Sequence, residues 1–321
     1  MKLMSIKKWG WVVGFSLVSL PLTAGEKVDQ TLSAPADGYV EIEHMNGRAT
    51  IKGWDQDEVR VRGELGDRTE EFTFESDGNR TIIKVEVKRS SGWGGWNNDD
   101  GDRLEIYVPE NSRIDYTSTN ADVDVTGVYG GLDIDVVNGD MEIDDVAGRI
   151  RLESVNGDIE AKRLRGDLKA ETVNGDIRAE QTESEELIFE SVNGDIRVIS
   201  DSRDIKAETV NGDVELTLDQ VEDLNMTTVN GSLEATMNLL SGADVRATSV
   251  GGSISLYFQK DVSARFDIQA HAGGRINNDL TSDQVQKAKY GPSRWLEFSV
   301  NGGDGMVEIS TVSGRVKVDR K

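Results

Sequence analysis

Apolar and charged residues alternate along most of this chain, in short segments that recur at a fixed spacing. One segment reads Gly157-Asp158-Ile159-Glu160-Ala161, and a strand with this alternation buries one face. The phrase Val-Asn-Gly-Asp-Ile, or a close variant of it, begins at six valines: Val137, Val155, Val173, Val192, Val210 and Val229. These valines are 18, 18, 19, 18 and 19 residues apart, so the chain contains a true internal repeat.

Strands this short cannot bury a core alone, so each must stack on the equivalent strand one repeat away. The pattern therefore predicts an all-β fold, a single-stranded parallel β-solenoid with right-handed winding and about 18 residues per coil in two nine-residue arms. Ile159, Ile177 and Ile196 are expected in one buried column. The Asn-Gly pair before each strand is expected to supply the positive φ of a tight corner.

The chain divides into four regions. Residues 1–25 combine a basic start, an uncharged apolar run and the small residues Thr23, Ala24 and Gly25, which is typical of a cleaved signal peptide. A retained anchor is the alternative, although the run is shorter than the roughly 20 residues of a membrane span. No later stretch is expected to span a membrane.

The other three regions differ in how regular the repeat is. Residues 26–118 are interpreted as irregular N-terminal coils and a cap, with a loop rich in Trp, Gly and Asp. Residues 119–239 form the regular stack, with extra residues near Ser184 and Val221 that should bulge at corners. Residues 240–321 are interpreted as C-terminal coils and a cap, with a helical turn at 282–289.

Charge and cysteine content narrow the function classes. The net charge of −23 argues against binding to nucleic acid or to an anionic membrane surface through bulk electrostatics. The chain has no cysteine, which excludes disulfides, thiolate zinc sites and a lipid anchor on cysteine. The 34 glycines against 4 prolines fit a β protein with many turns.

Three parts of the sequence carry a resemblance to a known family. The Asn-Gly-Asp-Ile repeats, Leu104–Pro109 and the closing segment Val307-Glu308-Ile309-Ser310-Thr311-Val312-Ser313-Gly314-Arg315-Val316 resemble the bacterial adhesin-like β-solenoid family, a domain of unknown function similar to head-GIN and toast-rack envelope domains. The resemblance covers essentially the whole mature chain. It implies an exported or envelope protein linked with adhesion or envelope-stress signalling, and it supplies no catalytic residues.

Two columns of corner residues are expected to be structural. Stacked asparagine amides hydrogen-bond along a solenoid, and the corner positions concerned are Asn138, Gly139, Asn156, Gly157, Asn174, Gly175, Asn193, Gly194, Asn211 and Gly212. A neighbouring aspartate column is expected either to accept corner amide hydrogen bonds or to form a divalent-cation ribbon, with Ca²⁺ as the candidate ion. Its members are Asp140, Asp158, Asp176, Asp195 and Asp213.

The candidate interaction residues point outward. Trp93 and Trp96 lie among glycines and acids, where they either stack on sugars or a protein partner or fold back over the end of the stack. An outward stripe contains Glu153, Glu171, Glu190 and Glu208, with Arg151, Lys169 and Lys206 nearby. The stripe is either a self-neutralising surface or a charged face on which a protein or glycan docks.

Signals for catalysis are weak. The chain has two histidines, His44 and His271, far apart in sequence, and it contains no Gly-x-Ser-x-Gly and no phosphate-binding loop. We therefore expect a non-enzymatic, exported scaffold or interaction module of the bacterial envelope, with no cofactor. The periplasm is the expected location, and the cell surface and secretion are the alternatives. Its partner is an envelope protein or a polysaccharide. The alternatives are a polysaccharide- or surface-binding adhesin and a carbohydrate-active β-helix enzyme.

Overall fold

The computed structural model describes residues 25–87, 101–184 and 186–321. Within these ranges the regular secondary structure consists of 25 strands and contains no helix, so the all-β prediction is confirmed. The predicted helical turn at 282–289 is wrong, because that segment holds an extended two-residue strand. The signal-peptide prediction for residues 1–25 lies outside the described residues except for Gly25.

The N-terminal part contains six strands: β1 (Lys27–Ser33), β2 (Tyr39–Trp54), β3 (Glu58–Glu64), β4 (Thr69–Asp77), β5 (Arg80–Val87) and β6 (Asp102–Pro109). The middle contains twelve: β7 (Arg113–Thr126), β8 (Leu132–Asn138), β9 (Met141–Asp144), β10 (Ile150–Asn156), β11 (Ile159–Lys162), β12 (Leu168–Asn174), β13 (Ile177–Thr182), β14 (Glu186–Asn193), β15 (Ile196–Ser200), β16 (Asp204–Asn211), β17 (Val214–Asn230) and β18 (Leu233–Ser249). The C-terminal part contains seven: β19 (Ile254–Phe258), β20 (Ala264–Ala270), β21 (Arg275–Asn278), β22 (Gln286–Lys287), β23 (Arg294–Val300), β24 (Gly305–Thr311) and β25 (Arg315–Arg320).

The middle strands stack as two rows, and each coil gives one strand or half-strand to each row. The first row runs β7-β8-β10-β12-β14-β16-β17-β18, and every pair in it is parallel. The second row runs β7-β9-β11-β13-β15-β17-β18, also parallel throughout. Ile159 lies opposite Ile177 and Ile177 opposite Ile196, and all three are fully buried, so the predicted register of this column is confirmed.

The two ends depart from a single-stranded parallel solenoid, and there the prediction is wrong. At the N-terminal end β1, β3 and β6 pair antiparallel, and so do β4 and β5. At the C-terminal end β23 is antiparallel to both β20 and β22. The order of coils also differs from the order of the chain, because β2 lies between β5/β6 and β7, and β24 lies between β18 and β20.

Most of the corner glycines have a different role from the one predicted for their backbone. Gly139 has the predicted positive φ, 148°, but Gly157, Gly175, Gly194 and Gly212 do not have φ in the left-handed range. Instead, a Cβ added at Gly194 would lie 1.8 Å from the carbonyl oxygen of Gly175 in the preceding coil. Glycine is therefore required because consecutive corners approach each other too closely for any side chain.

Both predicted bulges have counterparts in the pairing. The register of β13 against β15 shifts between Glu180 and Thr182, just before Ser184. The register of β17 against β18 shifts between Val221 and Asp223. An extra residue in a nine-residue arm is therefore absorbed locally, and the columns regain their register in the next strand.

Candidate functional site: a groove beside the carboxylate column

A groove of about 650 Å³ runs along the outer surface of the first row. One wall is the carboxylate column, defined as Asp135, Glu153, Glu171, Glu190 and Glu208. The other wall is the valine column, defined as Val137, Val155, Val173, Val192, Val210 and Val229. Parallel in-register pairing places the members of each column directly opposite one another from coil to coil.

The valine column is the functional feature that the sequence interpretation missed. Its members are each between 37% and 43% exposed, and Val250 and Val312 have similar exposures. The signal was present in the alternation, because Leu152 points inward and Val155 lies three residues later, an odd step that places it outward. The valine that begins each repeat is therefore a surface residue and does not belong to the core.

Basic residues neighbour the carboxylates, as the sequence indicated. Arg151 pairs with Glu153, and Lys169 Nζ lies 2.7 Å from a carboxylate oxygen of Glu171. Lys206 Nζ lies 2.8 Å from Glu190 and 3.2 Å from Glu208. Such exposed pairs contribute little to stability, about 0–1 kcal/mol each. Three cations facing five carboxylates leave the wall with a net negative charge.

Asp135 and Glu153 are neighbouring carboxyl groups at one end of this wall, and their pKa values are shifted in opposite directions. The two residues are opposite each other in β8 and β10. Burial raises the pKa of Asp135 to about 6, and a hydrogen bond with Glu153 and repulsion by its charge add to the shift. Burial acts to raise the pKa of Glu153 as well, but hydrogen bonds from Arg151 and Asp135 outweigh it and hold that pKa below its usual value.

Buried hydroxyls underlie the groove. The residue between each glutamate and valine points inward, and Thr172, Ser191 and Thr209 are all nearly inaccessible. The Thr209 hydroxyl donates to the carbonyl oxygen of Gly194 at 3.1 Å, and Thr172 and Ser191 make the same bond to Gly157 and Gly175. These bonds tie each strand of the first row to the preceding corner, so the floor of the groove is held rigidly.

The two corner columns form continuous hydrogen-bonded ladders. Each asparagine amide donates to the side-chain oxygen of the asparagine one coil earlier, from Asn138 to Asn230, at 2.8–2.9 Å. Each aspartate accepts a hydrogen bond from the backbone N–H of the next corner residue, as Asp158 does from Asp176 at 2.8 Å. The described residues contain no group of three or more His, Cys, Asp or Glu arranged to hold a metal ion.

The remaining predicted interaction residues do not join the groove. Trp93 and Trp96 lie outside the described residues. The aspartate column lies at the corner beyond the asparagines and does not line the groove. The structure therefore brings the four predicted glutamates together with Asp135 and the valines, and leaves the aspartates on a separate edge.

A buried polar cluster lies at the N-terminal end. His44 and Tyr116 are both inaccessible to solvent, with His44 Nδ1 3.1 Å from the tyrosine hydroxyl and His44 Nε2 3.4 Å from Asp102. Asp102 in turn accepts hydrogen bonds from the Thr69 hydroxyl and the backbone N–H of Gly66. Burial raises the pKa of Tyr116. The cluster joins β2, β6 and β7 but offers no surface to a substrate, so its role is structural.

The stacked rows and the open groove define a β-repeat protein with a continuous groove on its outer surface. The chain belongs to the Toastrack family (DUF4097), whose model matches residues 39–319. The resemblance found in the sequence, to a domain of unknown function with an adhesin-like fold, is thereby confirmed. No curated protein is significantly similar to the chain. The described residues contain no helix with the length and apolarity that crossing a bilayer requires.

Several solved structures are similar to it. A candidate cell adhesion protein from Clostridium sporogenes is 12% identical, covering 92% of this chain and 100% of that one, with a TM-score of 0.22. A candidate adhesin from Bacteroides fragilis is 11% identical over 92% and 97% of the two chains, with a TM-score of 0.35. A candidate adhesin from Parabacteroides distasonis is 8% identical over 92% and 98%, with a TM-score of 0.33. Likeness at this level carries no conclusion about function.

Proposed function

We propose that this chain is a non-catalytic interaction module of the bacterial cell envelope that binds a protein partner in the groove between the valine and carboxylate columns. The observation that carries the proposal is the valine column itself. Six aliphatic side chains stand in one line, each about two-fifths exposed, beside a wall of carboxylates. Contiguous apolar surface bordered by polar groups is typical of sites that bind other molecules.

The chemistry of the walls favours a polypeptide segment over a glycan. The valine wall offers aliphatic contact, which suits aliphatic side chains. The carboxylate wall has more acids than bases, so it complements lysine or arginine side chains. Because both walls repeat once per coil, the partner segment would lie along the stack and place basic and aliphatic side chains on its two sides.

Several features support a binding role without catalysis. Arg151, Lys169 and Lys206 hold the glutamates of the wall in ion pairs, which positions those carboxylates. The groove is open along its length and does not enclose a substrate. Asp135 and Glu153 are opposed carboxyl groups with one raised and one lowered pKa, and this pair is where a carbohydrate-active enzyme would be tested first.

Binding in the groove is tested by photo-crosslinking in living cells. A photoreactive residue is placed at Glu171 or Glu208 in the groove, or at Glu160 on the second row as the matched control. The expected result is a discrete higher band from the two groove positions, absent from Glu160. The band should disappear when Val173→Asp and Val192→Asp are introduced, since both substitutions place a charge on the exposed valine wall and remove its aliphatic contact.

Other outcomes would contradict the proposal. A band of equal strength from Glu160, or one that survives the two valine substitutions, would mean that the groove does not bind the partner. A diffuse high-mass smear that collapses on glycosidase treatment would identify a polysaccharide and favour the adhesin alternative. Turnover of a glycan that is abolished by Asp135→Asn would favour the enzyme alternative.

Export is a separate part of the proposal and rests on residues 1–25. We propose that these residues are removed on export and that the mature chain resides in the periplasm. Intact-mass measurement of the protein from fractionated cells should give a chain lacking about 25 residues in the periplasmic fraction. Recovery of the full 321-residue chain from the cytoplasm would contradict it.

A further inference from the structure

We propose a second binding site, for a carboxylate group of an external molecule, at the C-terminal end of the aspartate column. The site is centred on Arg275 and Arg315. It is distinct from the valine and carboxylate groove and does not depend on the function proposed for that groove.

The two arginines are neighbours, and no acid among the described residues neutralises them. Arg275 of β21 lies opposite Arg315 of β25 in parallel register, and both side chains are exposed. Among the described residues neither forms an ion pair, although the chain as a whole has a net charge of −23. Like charges directly opposite each other on adjacent strands are destabilising. An anion between them would remove that repulsion.

A third arginine borders the same place. Arg294 of β23 donates from Nη1 to the carbonyl oxygen of Gly274 at 2.9 Å, one residue before Arg275. The groove has a volume of about 450 Å³ and is lined by Ser253, Ser313 and glycine backbone besides the arginine pair. Because the glycines present no side chains, a ligand can reach the corner backbone directly.

The corner chemistry indicates which anion fits. From Asp122 to Asp213 each carboxylate accepts the backbone N–H of the next corner, and the last of these bonds, from Ser232 to Asp213, is 2.6 Å long. The equivalent positions in the following coils are Ser253, Arg315 and Arg275. Within the described residues no side chain accepts from the backbone N–H of Ser253 or Arg315. A carboxylate supplied by a ligand would continue the column where the chain no longer provides one.

The opposite end of the column provides a comparison within the same molecule. Arg48 lies opposite Asp122, and its Nη2 donates to the Asp122 carboxylate at 3.0 Å. This arginine therefore has an acidic partner within the chain. Arg275 and Arg315 occupy the corresponding place at the C-terminal end without an acid. Two guanidinium groups side by side suit the planar, two-oxygen geometry of a carboxylate.

Isothermal titration calorimetry at fixed salt tests the site with three probes: N-acetyl-aspartate, glucuronate and inorganic phosphate. We expect saturable binding of at least one carboxylate probe to the full chain. Arg275→Gln with Arg315→Gln should weaken it tenfold or more. Arg265→Gln is the matched control, since Arg265 is also exposed without an ion pair among the described residues, and it should leave binding unchanged.

The probes also distinguish the sources of the carboxylate. Tighter binding of N-acetyl-aspartate would point to an acidic peptide group, and tighter binding of glucuronate to an acidic sugar. Phosphate binding more tightly than both would overturn the carboxylate assignment. Absence of saturable binding, or equal binding by the double variant, would overturn the site itself. Circular dichroism of the double variant should match that of the original chain, which excludes unfolding as the cause of any loss.

Discussion

The middle of the stack and its two ends bury the same kind of apolar columns but join their strands differently. From β8 to β16 every pairing is parallel, and each strand lies on the one that is a single repeat away. At the ends the chain adds antiparallel strands and inserts coils out of order, as when β24 lies between β18 and β20. Nothing in the middle repeats limits how many coils can stack. The antiparallel and reordered strands at the two ends terminate the stack.

Stopping the stack matters because a parallel row would otherwise end in an open edge. Unpaired strand edges recruit further strands, and proteins blunt them with short or charged edge strands. The two C-terminal edge strands are short: β22 has two residues and pairs with β23, and β21 has four residues and pairs with β25. The two N-terminal edge strands carry charged residues: β4 includes Glu70, Glu71, Glu75 and Asp77, and β1 includes Lys27 and Asp29. Short length and charge are the means by which β proteins resist the addition of another chain at an edge.

The largest effect is expected from a charge in the middle of the core. Ile177→Asp should cost about 4 kcal/mol or more, because it removes a fully buried side chain and buries a carboxylate without a partner. Val28→Asp in β1, where the side chain is 7% exposed and the strand can move aside, should cost about 1–2 kcal/mol. Urea unfolding measures both. Arg178→Asp, the exposed neighbour of Ile177, is the control, and a cost equal to that of Ile177→Asp would contradict the assigned register.

The next effect concerns the approach of consecutive corners. A Cβ at Gly252 would lie 1.5 Å from the carbonyl oxygen of Gly231, whereas one at Gly251 would meet nothing closer than 3.4 Å. Gly252→Ala should therefore cost about 1–3 kcal/mol, and Gly251→Ala less than about 0.5 kcal/mol. Thermal unfolding of the two single variants measures the difference. Equal melting temperatures would mean that backbone freedom, and not the close approach, explains the glycine.

A smaller effect separates the interior of the asparagine ladder from its end. Asn193 both donates to Asn174 and accepts from Asn211, whereas Asn230 has only its bond to Asn211 within the ladder. Asn193→Ala should cost about 1 kcal/mol and Asn230→Ala about half of that, since each exposed bond contributes a fraction of the usual value. Chemical denaturation of the two single variants measures which substitution lowers the free energy of unfolding more. A larger cost at Asn230 would contradict the ladder as the source of this stability.

The sequence predicted the middle of the fold well because there each residue is constrained by its copies. The alternation of apolar and charged residues predicted the buried column of Ile159, Ile177 and Ile196. The repeat length predicted which of these residues lie opposite one another. The antiparallel ends were not predictable in this way, because the pairing between β20 and β23 joins two segments that are not copies of the repeat. The reason for the corner glycines was also hidden, since a sequence shows the missing side chain but not the carbonyl oxygen that faces it.

The candidate site was predicted only in part, for a similar reason. Glu153, Glu171, Glu190 and Glu208 were recognised as an outward stripe because charge and period placed them on the surface. The valine wall was missed because an apolar residue within a repeat is naturally assigned to the core. Side chains alternate between the two faces of a strand. Because Val155 lies three residues after the buried Leu152, this alternation would have predicted that Val155 faces the surface.

The smallest effect concerns the Asp135 carboxyl group at the end of the groove. Folding raises the pKa of Asp135 from its ordinary value of 3.8 to about 6, so the folded state binds this proton more tightly than the unfolded chain does. The stability from this proton is fully present below the unfolded value and is lost as the pH rises through 6. Asparagine has nearly the same shape as aspartate and also forms hydrogen bonds, but its side chain does not ionise. The melting temperature of Asp135→Asn relative to the original chain should therefore rise between about pH 4 and about pH 7.5.

The rise should amount to about 1–3 °C, since Asp135 is only partly buried and solvent therefore screens the repulsion from Glu153. Asp201→Asn, which changes an exposed acid without an ion pair among the described residues, should show no comparable trend. A relative melting temperature for Asp135→Asn that stays flat or falls over this range would mean that folding does not raise the pKa of Asp135. Both carboxyl groups would then be ionised already at about pH 5, and the groove would carry more negative charge toward a basic partner at mildly acidic pH than the raised pKa allows.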